Sequence, residues 1–280
     1  MKLLRFGPKG QEKPGIIDSK GDVRDLSTHI NDIIGSTISD TELAKIALID
    51  LEKLPKVDVK RYGPCVGNVG KFICIGLNYS DHAEEADMIV PPEPLIFAKA
   101  TSAICGPNDD IEIPRGAKTT DWEVELGVVI GKTAKYINPE EALEYIAGYC
   151  VINDVSERDF QLKREGQWTK GKSADTFGPI GPWLVTRDEI TDPQNLKMYL
   201  DVNGRRMQTG STTTMVYNVA HILSYLSHFM SLQPGDIVAT GTPPGVGIAK
   251  KPIPIYLKPG DSIQLGINGL GQQHQKVVQG

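Results

Sequence analysis

Apolar residues along this chain fall in short runs broken by Gly, Pro and Asp, a rhythm that predicts many strands and few helices. Three short strands are expected at the start, Leu3 to Phe6, Gly15 to Asp18 and Val23 to Asp25. From Asp40 to Leu51 the side chains Leu43, Ile46, Ala47 and Leu51 recur at helical spacing behind the Ser39-Asp40 start signal. Leu54 to Val57 then reads as a connector. That places a small N-terminal domain over 1–65 and a larger one over 66–280.

The larger region predicts a buried strand at Phe72 to Gly76 and a polar helical stretch from Ser80 to Asp87. Irregular chain follows through Val90-Pro91-Pro92-Glu93-Pro94, where three prolines remove backbone donors. Further strands are expected at Leu95 to Ala98, Trp122 to Ile130 and Tyr149 to Ile152, with helices from Pro139 to Tyr145 and Ser156 to Arg164. Asn203-Gly204 is a two-residue hairpin signal. Val219 to Met230 sets Ile222, Leu223, Leu226 and Met230 on one helical face. The stretch Leu232-Gln233-Pro234-Gly235-Asp236 returns as Leu257-Lys258-Pro259-Gly260-Asp261, predicting two similar turns that each feed a strand. The fold class expected is α+β and β-rich, a mixed barrel or roll rather than a doubly wound sheet.

Composition narrows the function. The 280 residues carry 30 basic and 35 acidic side chains, a net charge of -5 and no basic block, so nucleic acid is not the expected partner. No apolar run approaches the roughly 20 residues of a bilayer span. The start, Met-Lys-Leu-Leu-Arg, shows no secretory core, so a cytoplasmic protein with no membrane partner is the expectation. Four cysteines without a Cys-x-x-Cys pair predict buried thiols, neither a disulfide framework nor structural zinc.

The run Asp121-Trp122-Glu123-Val124-Glu125-Leu126-Gly127 carries the strongest chemical signal. Alternation along a strand puts Glu123 and Glu125 on one side, and the apolar run behind them argues burial. Two buried carboxylates repel each other unless a cation joins them; a solvent-facing acidic pair on an edge strand is the plainer alternative. Asp154 ends a second apolar strand and can complete the set, or cap the turn into Ser156. Three carboxylates with no His or Cys favour Mg2+ or Mn2+ over Zn2+. His82 and Glu85, three apart on a helical stretch, can face one way, the arrangement that orients an imidazole to activate water. Lys172, among Gly and small residues, can pair with a carboxylate, stabilise an enolate, or lie on the surface. Ala239 to Gly247 is a Gly/Pro loop without a P-loop ending, whose N–H groups and hydroxyls can hold a carboxylate.

Together these stretches resemble the fumarylacetoacetate hydrolase superfamily. The matching segments are Gly76-Leu77-Asn78-Tyr79 with His82 and Glu85, Glu123-x-Glu125, and Asn153-Asp154 through Arg158-Asp159-x-Gln161. They continue with Gly171-Lys172-Ser173-x-Asp175-Thr176-Phe177, Leu232-x-Pro234-Gly235-Asp236 and Thr240-Gly241-Thr242-Pro243-x-Gly245-Val246-Gly247, in family order over roughly 70–280. The resemblance implies a β-rich, barrel-like roll with a small N-terminal domain, usually a homodimer, and Mg2+ or Mn2+ held by Glu123, Glu125 and Asp154. It also implies that His82 and Glu85 form the water-activating dyad and that Lys172 stabilises a developing enolate. Tyr79, Arg158, Gln161 and Thr240 would line the substrate site.

The activity so implied is hydrolysis of a C–C bond in a 2,4-dioxo acid, for instance a 2,4-diketo-3-deoxy sugar acid, releasing pyruvate or a similar 2-oxo acid. Ureidoglycolate lyase and oxaloacetate decarboxylase are the enzymatic alternatives, and a catalytically silent structural dimer is the non-enzymatic one. The His82/Glu85 pair favours hydrolysis, because decarboxylation needs only the metal as an electron sink.

Overall fold

In the computed structural model, which describes residues 1–85 and 87–280, the short apolar blocks assemble into two main sheets. The larger has eleven strands. Ten follow one another in space as Lys56–Val57, Val23–Asp25, Lys13–Ile17, Lys2–Phe6, Gly178–Thr186, Ile146–Asn153, Val124–Ile130, Ile237–Ala239, Phe72–Gly76 and Leu95–Lys99; Ile104–Cys105 pairs alongside Gly178–Thr186. The second sheet has five strands, Arg205–Ser211, Lys197–Val202, Ser262–Ile267, Gly271–Gln279 and Ile111–Ile113. Parallel and antiparallel pairs mix, and both sheets keep open edges, so the β-rich α+β class holds without a closed barrel. Lys2–Phe6 pairs with Gly178–Thr186, which makes the N-terminal strands an extension of the larger sheet.

Val124–Ile130 runs between Ile146–Asn153 and Ile237–Ala239 and is buried along its whole length. Its two faces meet different neighbours. Val124, Leu126, Val128 and Ile130 join a core with Leu200, Ile263 and Leu265 of the second sheet. Val129, one step out of phase, packs with Phe72, Cys150 and Ile152 on the other side. Glu123 and Glu125 share the parity of Val129, so alternation turns both carboxylates away from the second sheet. Each fully buried aliphatic side chain on the apolar face contributes about 1.5–3 kcal/mol, enough for four of them to anchor a strand that carries charge opposite.

Local structure departs from the sequence pattern in several places. The helix expected to Leu51 is Asp40–Ala47; Asp50 accepts the N–H of Glu52 and starts a separate 3-10 turn, Leu51–Lys53. Lys56–Val57 is an edge strand, not a connector, because Val23–Asp25 offers it a partner. Pro139–Tyr145 is a 3-10 helix. Ser156–Glu157 pairs with Thr120–Asp121, and only Arg158–Leu162 is helical, because the Glu157 carboxylate accepts the Thr119 N–H at 3.1 Å and holds this segment extended. The helix beginning at Ser80 covers Ser80–Glu85; Ala86 lies outside the described residues.

The turn chemistry matches the sequence closely. Asn203 and Gly204 both adopt left-handed backbone, φ 51 and 74, as a type I′ hairpin requires. The two Pro-Gly-Asp turns are alike: Asp236 accepts the Gln233 N–H at 2.7 Å, and Asp261 accepts the Lys258 N–H at 2.8 Å. All four cysteines are buried and unbridged. Among the described residues, no helix is long and apolar enough to cross a membrane.

Candidate active site

Glu123 and Glu125 meet Asp154 because Val124–Ile130 and Ile146–Asn153 are antiparallel neighbours, with Val124 opposite Asn153. The crossing is pinned locally: the Asp154 N–H donates to the Glu123 carbonyl at 2.9 Å, and the Glu123 N–H donates to Asn153 Oδ1 at 3.2 Å. One oxygen from each of the three carboxylates lies within 4.8 Å of the others, and all three residues are buried.

Cations interleave with these carboxylates. Lys172 Nζ donates to Glu123 at 2.8 Å and to Asp154 at 2.6 Å. Lys99 Nζ donates to the other Asp154 oxygen and to the Val155 carbonyl. Arg158 donates to Glu123 at 2.7 Å, to Asp121 at 2.9 Å and to Gln161 at 3.0 Å. Opposite charges thus alternate through the protein in the order Asp121, Arg158, Glu123, Lys172, Asp154, Lys99. Burial alone would raise the Glu123 pKa, but Lys172 and Arg158 outweigh it and hold the carboxyl well below its usual range. Burial likewise disfavours the charged form of Lys172, yet Asp154 and Glu123 hold its pKa above the usual value.

Glu125 stands apart from this chain of charge. Its one hydrogen bond among the described residues comes from the Gly241 N–H at 2.8 Å, and no cationic side chain reaches it. Burial, then the charges of Asp154 and Glu123, push its pKa well above the ordinary carboxylate value. Four carboxylates, Asp121, Glu123, Glu125 and Asp154, face three cations. A hard divalent ion fits here: three oxygen donors converge, and its charge would relieve Glu125, which has no ion pair among the described residues.

Lys172 reaches this point from a single helical turn, Thr169–Lys172, that packs against Arg158–Leu162. A Cβ on Gly171 would lie 2.4 Å from the Glu157 carbonyl, so the close approach requires glycine.

The carboxylate cluster opens on a cavity of about 280 Å3 whose wall also carries His82, Glu85, Arg158, Gln161 and Lys172. Its remaining lining is mainly apolar, with Phe97, Trp168, Leu162 and Val246 among it. His82 Nδ1 is 3.3 Å from Glu85 Oε2, and Glu85 also accepts the Gly245 N–H at 2.8 Å. Burial pushes the Glu85 carboxyl up, but the bonds from His82 and Gly245 pull it below its usual value. An ionised Glu85 only accepts hydrogen bonds, so His82 Nδ1 is the donor in this pair, and the neutral tautomer that this bond selects has its lone pair at Nε2.

The Gly/Pro loop behaves differently from its sequence expectation. Its N–H groups do hold carboxylates, but they are the protein's own: Gly241 binds Glu125, Gly245 binds Glu85, and Gly247 and Ile248 bind Asp121 at 2.6 and 2.9 Å. Two of the expected lining residues also fall outside the cavity. Tyr79 is fully buried in the core, its hydroxyl 3.6 Å from Met198 Sδ. Thr240 is buried with its hydroxyl donated to the Leu126 carbonyl at 2.9 Å; Thr242 lines the cavity instead. Asp154 lies behind the lining and reaches the cluster through its carboxylate alone. Asp121 and Lys99 complete the charge chain and were not singled out by sequence. The alternation that pairs Glu123 with Glu125 extends back to Asp121, so a signal for that residue existed.

The sequence profile of the fumarylacetoacetate hydrolase C-terminal family matches residues 71–278. A Burkholderia orbicola protein, described only as a candidate hydrolase, is 61% identical over 278 residues, covering 99% of each chain. The solved fumarylacetoacetate hydrolase of the psychrophile Exiguobacterium antarcticum superposes with a TM-score of 0.86 at 38% identity, covering 100% of both chains. Maleylpyruvate hydrolase from Sphingobium sp. SYK-6, solved with manganese(II) and pyruvate, superposes with a TM-score of 0.83 at 29% identity, again covering 100% of both.

Proposed function

Because this chain belongs to the fumarylacetoacetate hydrolase family, we propose that it is a Mg2+- or Mn2+-dependent hydrolase that cleaves the C3–C4 bond of a 2,4-dioxo acid and releases pyruvate or a similar 2-oxo acid. A 2,4-diketo-3-deoxy sugar acid is one substrate of this class. The observation that carries the reading is the meeting of a three-carboxylate cluster and a His-Glu pair on one cavity. The manganese and pyruvate bound by the Sphingobium relative are the kind of ion and product this reading requires.

Glu123, Glu125 and Asp154 would hold the ion, which when bound supplies Lewis acidity at the 2-oxo oxygen of the substrate. His82, held by Glu85, takes a proton from water at Nε2 as the oxygen attacks the 4-carbonyl. The C3–C4 bond then breaks, its electron pair forms the enolate of the 2-oxo acid, and C4 leaves as a carboxylic acid. Lys172 keeps one N–H beyond those given to Glu123 and Asp154, and its positive charge stabilises the developing negative charge. The proton collected by His82 returns to C3.

A panel of 2-oxo and 2,4-dioxo acids, assayed in Mn2+ for pyruvate and for CO2 separately, tests this reading. Pyruvate with a second acid and no CO2 is expected; CO2 from oxaloacetate without 2,4-dioxo acid cleavage would sink it. His82→Ala is expected to lower hydrolysis about 10^3-fold, within the usual range for a lost general base, while Mn2+ affinity measured by calorimetry stays near wild type. Unchanged hydrolysis in that variant would remove the dyad from the mechanism.

A further inference from the structure

Asp121 is fully buried and does not line the cavity, yet both of its oxygens are saturated. Oδ1 accepts the Trp122 N–H at 2.8 Å and the Gly247 N–H at 2.6 Å. Oδ2 accepts the Ile248 N–H at 2.9 Å and Arg158 Nε at 2.9 Å. Four donors converge on this one carboxylate, so the position demands a group that only accepts. Two of those donors belong to the loop segment that carries Ile248 and Ala249 into the cavity wall, and a third belongs to Arg158, which lines the same cavity.

We infer that Asp121 is a positioning residue that aims Arg158 at the substrate carboxylate. A guanidinium has five N–H donors. Arg158 gives one to Asp121, one to Gln161 and one to Glu123, which leaves one on each terminal nitrogen. Two donors is the number that the two oxygens of a carboxylate take from a guanidinium. Asp121 fixes the Nε end of the side chain while Glu123 and Gln161 fix the other, so the guanidinium is held in one orientation. The same carboxylate ties the loop wall to the arginine, and the distance between them is therefore set by a single side chain.

This inference rests on the 2-oxo acid reading, and pyruvate titrated into the Mn2+-loaded protein separates the two. Asp121→Asn is isosteric, but its amide sets a donor against two of the four donors it must serve. Pyruvate affinity is expected to fall at least tenfold, with Mn2+ affinity, titrated separately, within about threefold of wild type. A folded Asp121→Asn protein with wild-type pyruvate affinity would overturn the inference, and so would parallel losses of pyruvate and Mn2+. Should Asp121→Asn fail to fold, Asp121→Glu decides. It keeps an accepting carboxylate but moves it by one methylene and leaves Arg158 intact, so the same tenfold split supports the inference and wild-type pyruvate affinity removes it. A wild-type protein that binds Mn2+ but no pyruvate would overturn the functional reading as well.

Discussion

The Lys172→Met protein is expected to unfold roughly 10 °C below wild type when divalent ions are absent, and to regain most of that loss in millimolar Mn2+. Removing the ammonium strips Glu123 and Asp154 of the cation they share, with contacts of 2.8 and 2.6 Å. Breaking a buried ion pair on one side costs about 3–5 kcal/mol, and about 1 kcal/mol moves the melting point of a chain this size by roughly 2–4 °C. Methionine keeps much of the side-chain volume, so the loss reads charge rather than a cavity. Arg158 still neutralises part of Glu123 and Lys99 part of Asp154, which is why collapse is not expected. A divalent ion would replace the missing charge and stabilise the folded state in proportion to its binding.

The pH dependence fixes the sign. Glu123 has a depressed pKa in the folded protein, so its contribution is present above the unfolded value near 4.5 and lost as pH falls towards the folded one. Lys172 has a raised pKa, so its contribution is present below 10.5 and lost as pH rises through the folded value. The deficit of Lys172→Met should therefore be flat between those limits and shrink at both ends. Thermal denaturation across pH in EDTA and in Mn2+ measures all of this, and a deficit indifferent to both pH and Mn2+ would show that Lys172 acts by packing alone.

What could be read in advance followed from rules of short range. Period-two alternation put Glu123 and Glu125 on one face, and the apolar parity of Val124, Leu126, Val128 and Ile130 shows why that face differs from its opposite. Asn203-Gly204 and the two Pro-Gly-Asp turns needed only backbone preferences at single positions. Where the site departs from expectation, the cause is tertiary. Tyr79 belongs to the same motif as His82, but Leu77 takes a left-handed conformation, φ 51, and the chain that follows turns the phenol into the core. Nothing in Thr240-Gly241-Thr242 says which threonine meets the cavity, since each hydroxyl bonds a backbone carbonyl of the same neighbouring strand. The loop's amide groups found acceptors at residues 85, 121 and 125, more than a hundred positions away, where local pattern carries no information. Lys99 follows directly on the strand expected at Leu95 to Ala98, and its burial depends on Asp154 lying within reach.

Glu125→Gln should lower turnover by about 10^4-fold or more, the size expected when several kcal/mol of charge stabilisation by a bound ion are lost. The same change should make the metal-free protein more stable at pH 8. Both effects come from one carboxyl group. Burial beside Asp154 and Glu123 raises its pKa, so the folded protein binds the Glu125 proton more tightly than the unfolded chain does. By linkage, the stabilisation from that proton is complete below the unfolded value near 4.5 and is lost as pH rises through the raised folded value. Glutamine is neutral at every pH and can still accept the Gly241 N–H through its amide oxygen. In EDTA, the variant should therefore melt above wild type at pH 8, with the gap closing towards pH 4. In Mn2+ the order should reverse, because wild type gains an ion held by three carboxylates and the variant offers only two. Mn2+ binding by wild type should also release a proton at any pH where Glu125 is still protonated, visible as a binding enthalpy that depends on the buffer. If Mn2+ raised the melting point of Glu125→Gln as far as that of wild type, the ion would have to sit elsewhere, and the excess negative charge around Glu125 would be a feature of the fold rather than of catalysis.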